Sequence, residues 1–132
     1  MKWDQLRQHL RTHYVMREIH PLAIEVTYNI GETRRQRTYI TFSDDAHGAE
    51  YAQIDSIVGV LGEVDLDRAL RLAGRVACGG LCHLPFEDRD CLSLRHSIRL
   101  ESLVLEEFDL AVRIVTSAAD AHEFQLTGTD MF

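Results

Sequence analysis

From Cys91 to Leu126 the chain reads as a half-buried strand running straight into a long amphipathic helix. Leu92, Leu94, His96, Ile98 and Leu100 alternate with Ser93, Arg95, Ser97 and Arg99, the period of two expected of a sheet with one wet face. Val104, Phe108, Ala111, Val112, Val115, Ala118, Ala119 and His122 then recur at helical spacing, with Glu106 and Glu107 near the helix start, where the macrodipole favours them. A strand with one apolar face, joined to a helix with one apolar stripe, buries both by laying the helix on the sheet. The expected class is therefore α+β, an antiparallel sheet packed against helices.

Upstream patterns extend this reading. A helix is predicted from Trp3 to Met16, with Trp3, Leu6, Leu10 and Tyr14 on one face. Pro21 turns the chain to extended structure. Leu22, Ile24, Val26 and Tyr28 alternate with Ala23, Glu25 and Thr27, and Asn29-Ile30-Gly31-Glu32 supplies a hairpin turn. The return strand, Arg34 to Phe42, carries Thr38, Ile40 and Phe42 on one face and Arg35, Arg37 and Tyr39 on the other. Ser43 to Gly48 reads as a turn and Glu50 to Val60 as a third strand, with Ala52, Ile54, Ser56 and Val58 on one side. Asp65 is placed to cap a short helix, Leu66 to Arg75, with a stripe of Leu66, Ala69, Leu70 and Ala73 and Gly74 at its end. Val76 to Leu84 reads as a fourth strand, whose Gly79-Gly80 pair weakens it or admits a close backbone approach. Pro85 to Asp90 reads as an acidic loop. The predicted order is α-β-β-β-α-β-β-α, one domain over residues 1–132, and short turns imply antiparallel pairing.

Size and charge narrow the function. A chain of 132 residues suits one domain with one proper core, and 45% hydrophobic with 27% charged residues is ordinary globular composition. Only the tail Thr127–Phe132 is expected to be disordered. The net charge of −7 argues against a nucleic-acid partner, because phosphate contacts need clustered cations. The opening Met1-Lys2-Trp3-Asp4-Gln5 lacks the apolar core of a signal peptide, and the longest uncharged apolar run, Ser56 to Gly62, is too short to cross a bilayer. No membrane role is expected. Three cysteines without a secretion signal read as reduced thiols in a cytoplasmic protein.

The sequence offers few chemical constellations. Cys78, Cys82, His83 and Cys91 make the only plausible metal set, but C-x3-C-H-x7-C fits no familiar zinc module, and buried free cysteine commonly acts as a small hydrophobe. No metal and no cofactor are expected. His96 falls on the core face of its strand and His122 closes the last helix stripe. A base needs a paired nucleophile or acid, and neither has one in the sequence. His9, His13 and His20 lack ligand spacing. The pairs Asp44-Asp45, Glu87-Asp88 and Glu106-Glu107 suit turns and helix starts better than cation binding. No phosphate-binding, dinucleotide or nucleophile-elbow motif occurs, so the chain reads as a non-enzyme unless a pocket unites a histidine with a carboxylate. Arg34, Arg35 and Arg37 form the one basic cluster, suited either to an acidic partner or to edge-strand protection.

The strand Cys91 to Leu100, the junction Glu101-Ser102-Leu103 and the helix from Glu106 through Ala118-Ala119-Asp120 resemble those of the bacterial type III secretion chaperone-like fold, which includes YbjN-like domains. The first helix and the hairpin Leu22 to Phe42 fit the same pattern. The resemblance implies a small acidic cytoplasmic protein, a homodimer, that holds a segment of another polypeptide along its surface, with no catalytic residues to carry over. Contacts expected for that role are Arg35, Arg37 and Tyr39 on the hairpin and Arg95 and Arg99 on the polar face of the last strand. The alternative is a metal- or redox-responsive regulator built on Cys78, Cys82 and Cys91.

Overall fold

Trp3, Leu6 and Leu10 fall on one face of a helix, and all three are buried in the computed structural model, which describes residues 1–128 and Phe132. This helix, α1, spans Trp3–His13 and not the expected Trp3 to Met16. Tyr14 is already extended (φ −125°), and its N–H closes the helix on Leu10 O at 3.0 Å. Met16, the expected helix end, instead begins a strand the sequence reading missed, β1 (Met16–His20). β1 is largely exposed, so it shows no buried alternation to detect.

The remaining elements are β2 (Ala23–Ile30), β3 (Arg34–Asp44), β4 (Glu50–Val60), α2 (Leu66–Ala73), β5 (Gly80–Phe86), β6 (Arg89–Arg99), a turn of 3-10 helix over Leu100–Ser102, and α3 (Leu105–Thr127). All six strands form one antiparallel sheet in the order β1-β2-β3-β4-β6-β5. The α+β class holds, with four strands before α2 where three were expected. Each hairpin places consecutive strands side by side. The segment through α2 instead carries the chain past β6, so β5 becomes an edge and β6 lies against β4.

Residues opposite each other in a ladder share a face. One face therefore carries Ile24, Val26, Thr38, Ile40, Ala52, Ile54 and Leu94, all buried under α1 and α3. From α3 come Phe108, Val112, Val115 and Ala119, each fully buried. Polar pairs are sealed into this layer. Thr38 Oγ1 lies 2.6 Å from Thr116 Oγ1, and Gln36 Nε2 donates to Ser56 Oγ at 2.9 Å and to Ile57 O at 3.1 Å. Paired in this way, the two threonines and the Gln36 amide nitrogen avoid the cost of unpartnered burial, while Gln36 Oε1 is buried without a partner.

Four further expectations need correction. In α2, Ala69 and Leu72 are buried while Leu66 (46%) and Leu70 (56%) are exposed, because an eight-residue helix at the end of the sheet meets it only along a narrow line. Its cap is as expected, with Asp65 accepting from the Arg68 N–H at 3.2 Å and Gly74 at the C-cap. Of the strand expected over Val76 to Leu84, only Gly80 onward is strand, and Cys78 precedes it. Gly79 takes φ +91°, and a Cβ there would sit 2.9 Å from Arg95 O, so the close-approach reading of the glycine pair applies. The loop expected over Pro85 to Asp90 is a two-residue turn, with Pro85 paired to Asp90 inside the edge strand. The face expected to be wet on β6 is dry at Cys91 and Ser93, both fully buried.

The tail expected to be disordered, Thr127–Phe132, falls partly outside the described residues, at 129–131. Thr127 ends α3 and Gly128 caps it in the left-handed conformation. The Phe132 N–H donates to Glu123 Oε2 at 2.8 Å, and its carbonyl accepts from the Arg37 N–H at 3.2 Å. Among the described residues no helix is long and apolar enough to cross a membrane.

Candidate functional site

The period of two that sends Ile24, Ile40 and Ile54 toward the helices sends their neighbours to the opposite face. By register that face carries Arg17, Glu25, Arg35, Arg37, Tyr39, Thr41, Gln53, Asp55, Ser93, Arg95 and Arg99. Among the described residues no helix lies on it. All five expected contacts, Arg35, Arg37, Tyr39, Arg95 and Arg99, are on this one face.

They are not one cluster. Tyr39, Asp55 and Arg95 form a single cross-strand row over β3, β4 and β6. Arg37 lies two residues up β3 from that row and Arg35 four, whereas Arg99 lies four residues beyond it on β6, opposite Tyr51. At about 3.3 Å per residue the two ends stand roughly 26 Å apart along the strands, the length of about eight extended residues.

The centre of the face is built around Asp55, which is 2% exposed. Its Oδ1 accepts from Arg95 Nε at 2.8 Å and Ser93 Oγ at 2.8 Å, and its Oδ2 from Gln53 Nε2 at 3.2 Å. A carboxylate removed from water needs such donors. Arg95 thus orders the face through Asp55 as well as presenting charge from it. Ile57 and Cys91 are buried beside this row although no helix covers them. The Tyr39 and Phe86 rings, on strands that are not neighbours, stand 5.1 Å apart. The sheet therefore curls on this side, closing one part of the face and leaving Arg35, Arg37 and Arg99 at the exposed margins. Burial, then the charge of Glu25, pushes the Tyr39 phenol up to about 12.

The face is basic on an acidic chain. Arg17, Arg35, Arg37, Arg89, Arg95 and Arg99 point to it, six of the 14 Lys and Arg in the sequence. Its strand carboxylates are Glu25 and Asp55. Glu25 pairs with Arg17 at 3.1 Å and Asp55 with Arg95.

The other expected constellations separate. Cys82 and Cys91 share this face, Cys82 opposite Ser93 and Cys91 opposite Leu84, while Cys78 packs against the core. His83 is on the other side of its strand and bonds Asp90 at 2.7 Å. Among the described residues no three His, Cys, Asp or Glu converge to hold a metal ion. All three thiols are free, and burial pushes each one up, away from the thiolate that metal binding and oxidation need. Asp45 shapes its turn, accepting from the N–H groups of His47 at 2.8 Å and Ala49 at 3.0 Å. His96 is half-buried opposite Ile54.

One convergence was missed from sequence. His9 Nε2 lies 2.9 Å from Asp109 Oδ1, and the Tyr14 hydroxyl donates to the same oxygen at 2.5 Å. The partners are 100 and 95 residues apart. Local spacing carries no trace of such a contact.

No family model, curated protein or solved structure matches the chain.

Proposed function

We propose that this protein is a chaperone-like binding module that holds an extended, acidic segment of another polypeptide across its helix-free sheet face. The observation that carries this reading is the gathering of six arginines on that face of a chain with net charge −7. Opposite charge across an interface sets both encounter rate and register. The span from Arg35 to Arg99 matches about eight extended residues, with Tyr39 between them as an aromatic contact. The resemblance to secretion chaperone-like and YbjN-like domains supports the same role and adds a cytoplasmic homodimer.

The test is fluorescence anisotropy with a labelled twelve-residue Asp/Glu-rich peptide and a Lys-rich peptide of equal length. The acidic peptide binds, the basic one does not, and Arg35→Glu with Arg37→Glu weakens the acidic complex at least tenfold. Both side chains are exposed, so this double variant folds. Equal binding of the two peptides, or an unaffected double variant, would overturn the reading. Light scattering of the same sample checks the dimer.

A further inference from the structure

On the helix side of the sheet, away from the basic face, the end of α1, β2 and the first turns of α3 enclose a cleft of about 450 Å³. Its chemistry comes from His9, His13, Tyr14, Tyr28, Asp109 and Arg113. That volume exceeds what an inorganic ion fills and lies in the range of small organic ligands.

Asp109 organises the floor. An ionised carboxylate only accepts, so the 2.9 Å contact places the ring proton of His9 on Nε2. The Tyr14 hydroxyl donates to the same oxygen, and burial together with that bond raises the phenol well above its ordinary range. Tyr14 therefore stays a neutral donor. Two donors already occupy the carboxylate before any ligand arrives, and its charge, felt at Tyr28, is opposed there by that of Arg113.

The walls are aromatic. Tyr14 meets Tyr28 edge to face, with centroids 6.0 Å apart and planes at 83°. His9 lies 4.7 Å from His13 and is backed by Phe108 at 6.4 Å. Arg113, one helical turn beyond Asp109 on α3, and His13, one turn beyond His9 on α1, bring cationic or hydrogen-bonding groups to the same opening. A structural clamp between α1 and α3 would need only His9, Tyr14 and Asp109. It accounts for neither the cleft nor the placing of Tyr28, His13 and Arg113 around it.

We propose that this cleft binds a small organic anion, a planar ring carrying one phosphate or carboxylate. The ring packs against Tyr14 and Tyr28, and the oxyanion meets Arg113 and His13. A guanidinium suits either oxyanion, because its paired N–H groups match both geometries. This ligand is distinct from the polypeptide proposed for the sheet face, and its binding does not depend on that proposal.

The experiment is calorimetric titration of the whole protein with phenyl phosphate, benzoate, inorganic phosphate and phenol, with amide shifts followed by NMR. Phenyl phosphate or benzoate binds several-fold tighter than inorganic phosphate and phenol, which each supply half of the recognition. Shifts cluster at Tyr14, Tyr28, Asp109 and Arg113 and leave Arg95 and Arg99, at the far side of the sheet, unmoved. The order of the two ring anions names the preferred head group, and either order upholds the site. Arg113→Ala, an exposed substitution with little effect on folding, weakens binding about tenfold, the scale of one lost charge-assisted contact. Binding of the ring anions no tighter than phenol, shifts centred on Arg95 and Arg99, or an unaffected Arg113→Ala would overturn the proposal.

Discussion

Asp55 is held out of water on a strand face that no helix covers, and the buried carboxylate accepts hydrogen bonds from Arg95, Ser93 and Gln53. Replacing it leaves the Arg95 guanidinium and two polar groups without their acceptor. Asp55→Ala is expected to lower unfolding free energy by about 3 kcal/mol, read from urea melts. A change under about 1 kcal/mol would mean that the row is not a stabilising unit. Tyr39, in the same row, carries a phenol raised to about 12. Because the folded value lies above the unfolded value of about 10, its contribution is whole below pH 10 and is lost as pH rises toward 12. Absorbance titration at alkaline pH should lose its step near pH 12 in Tyr39→Phe, and the variant's stability should fall less steeply over that window. An unchanged titration curve would remove Tyr39 from the curled part of the face.

At the scale of elements, the β5–β6 hairpin turns on Glu87 (φ 49°) and Asp88 (φ 62°), both left-handed. Two successive residues of this kind make the turn type that matches strand twist, and Asn-Gly is its favoured sequence. Lacking Asn and Gly, Glu87-Asp88 gave no sign of the turn and read as part of a loop. Glu87→Asn with Asp88→Gly should therefore stabilise the protein by about 1 kcal/mol, seen as a rise in Tm. A lower Tm would show that the acidic side chains contribute more than the backbone relief. The neighbouring elements follow their local chemistry more openly. Asp65 starts α2 by capping, and Gly79 lets the chain pass close to Arg95 O before β5. The end of α1 is the exception. Tyr14 leaves the helix while its hydroxyl bonds Asp109 on α3, a partner invisible to helical periodicity.

For the whole molecule, net charge and local charge point in opposite directions. A body at −7 repels an acidic peptide, whereas a face with six arginines attracts one. At about 0.1 M salt the screening length is near 10 Å, shorter than the roughly 26 Å span of the face, so the local patch decides. Affinity for the acidic peptide is expected to fall steadily between about 0.05 and 0.5 M salt. Affinity that rises with salt would show that global repulsion dominates and would count against the face as the site. Its placement also leaves both layers usable at once, because the His9–Asp109 cleft opens on the helix side of the sheet.

Alternation in β2, β3 and β6 and the stripes of α1 and α3 were legible in the amino-acid order, because each buries one side against a neighbour. The same alternation put Arg35, Arg37, Tyr39, Arg95 and Arg99 on the polar side of their strands. β1 was not legible, since an exposed edge strand has no buried side to alternate with. Nor was the dryness of Cys91, Ser93 and Asp55, which depends on the sheet curling until Tyr39 meets Phe86. Strand order past α2 and the meeting of His9, Tyr14 and Asp109 were likewise tertiary outcomes. Periodicity records whether a residue faces something apolar; which residue it faces, across a hundred positions of chain, is decided only when the layers pack.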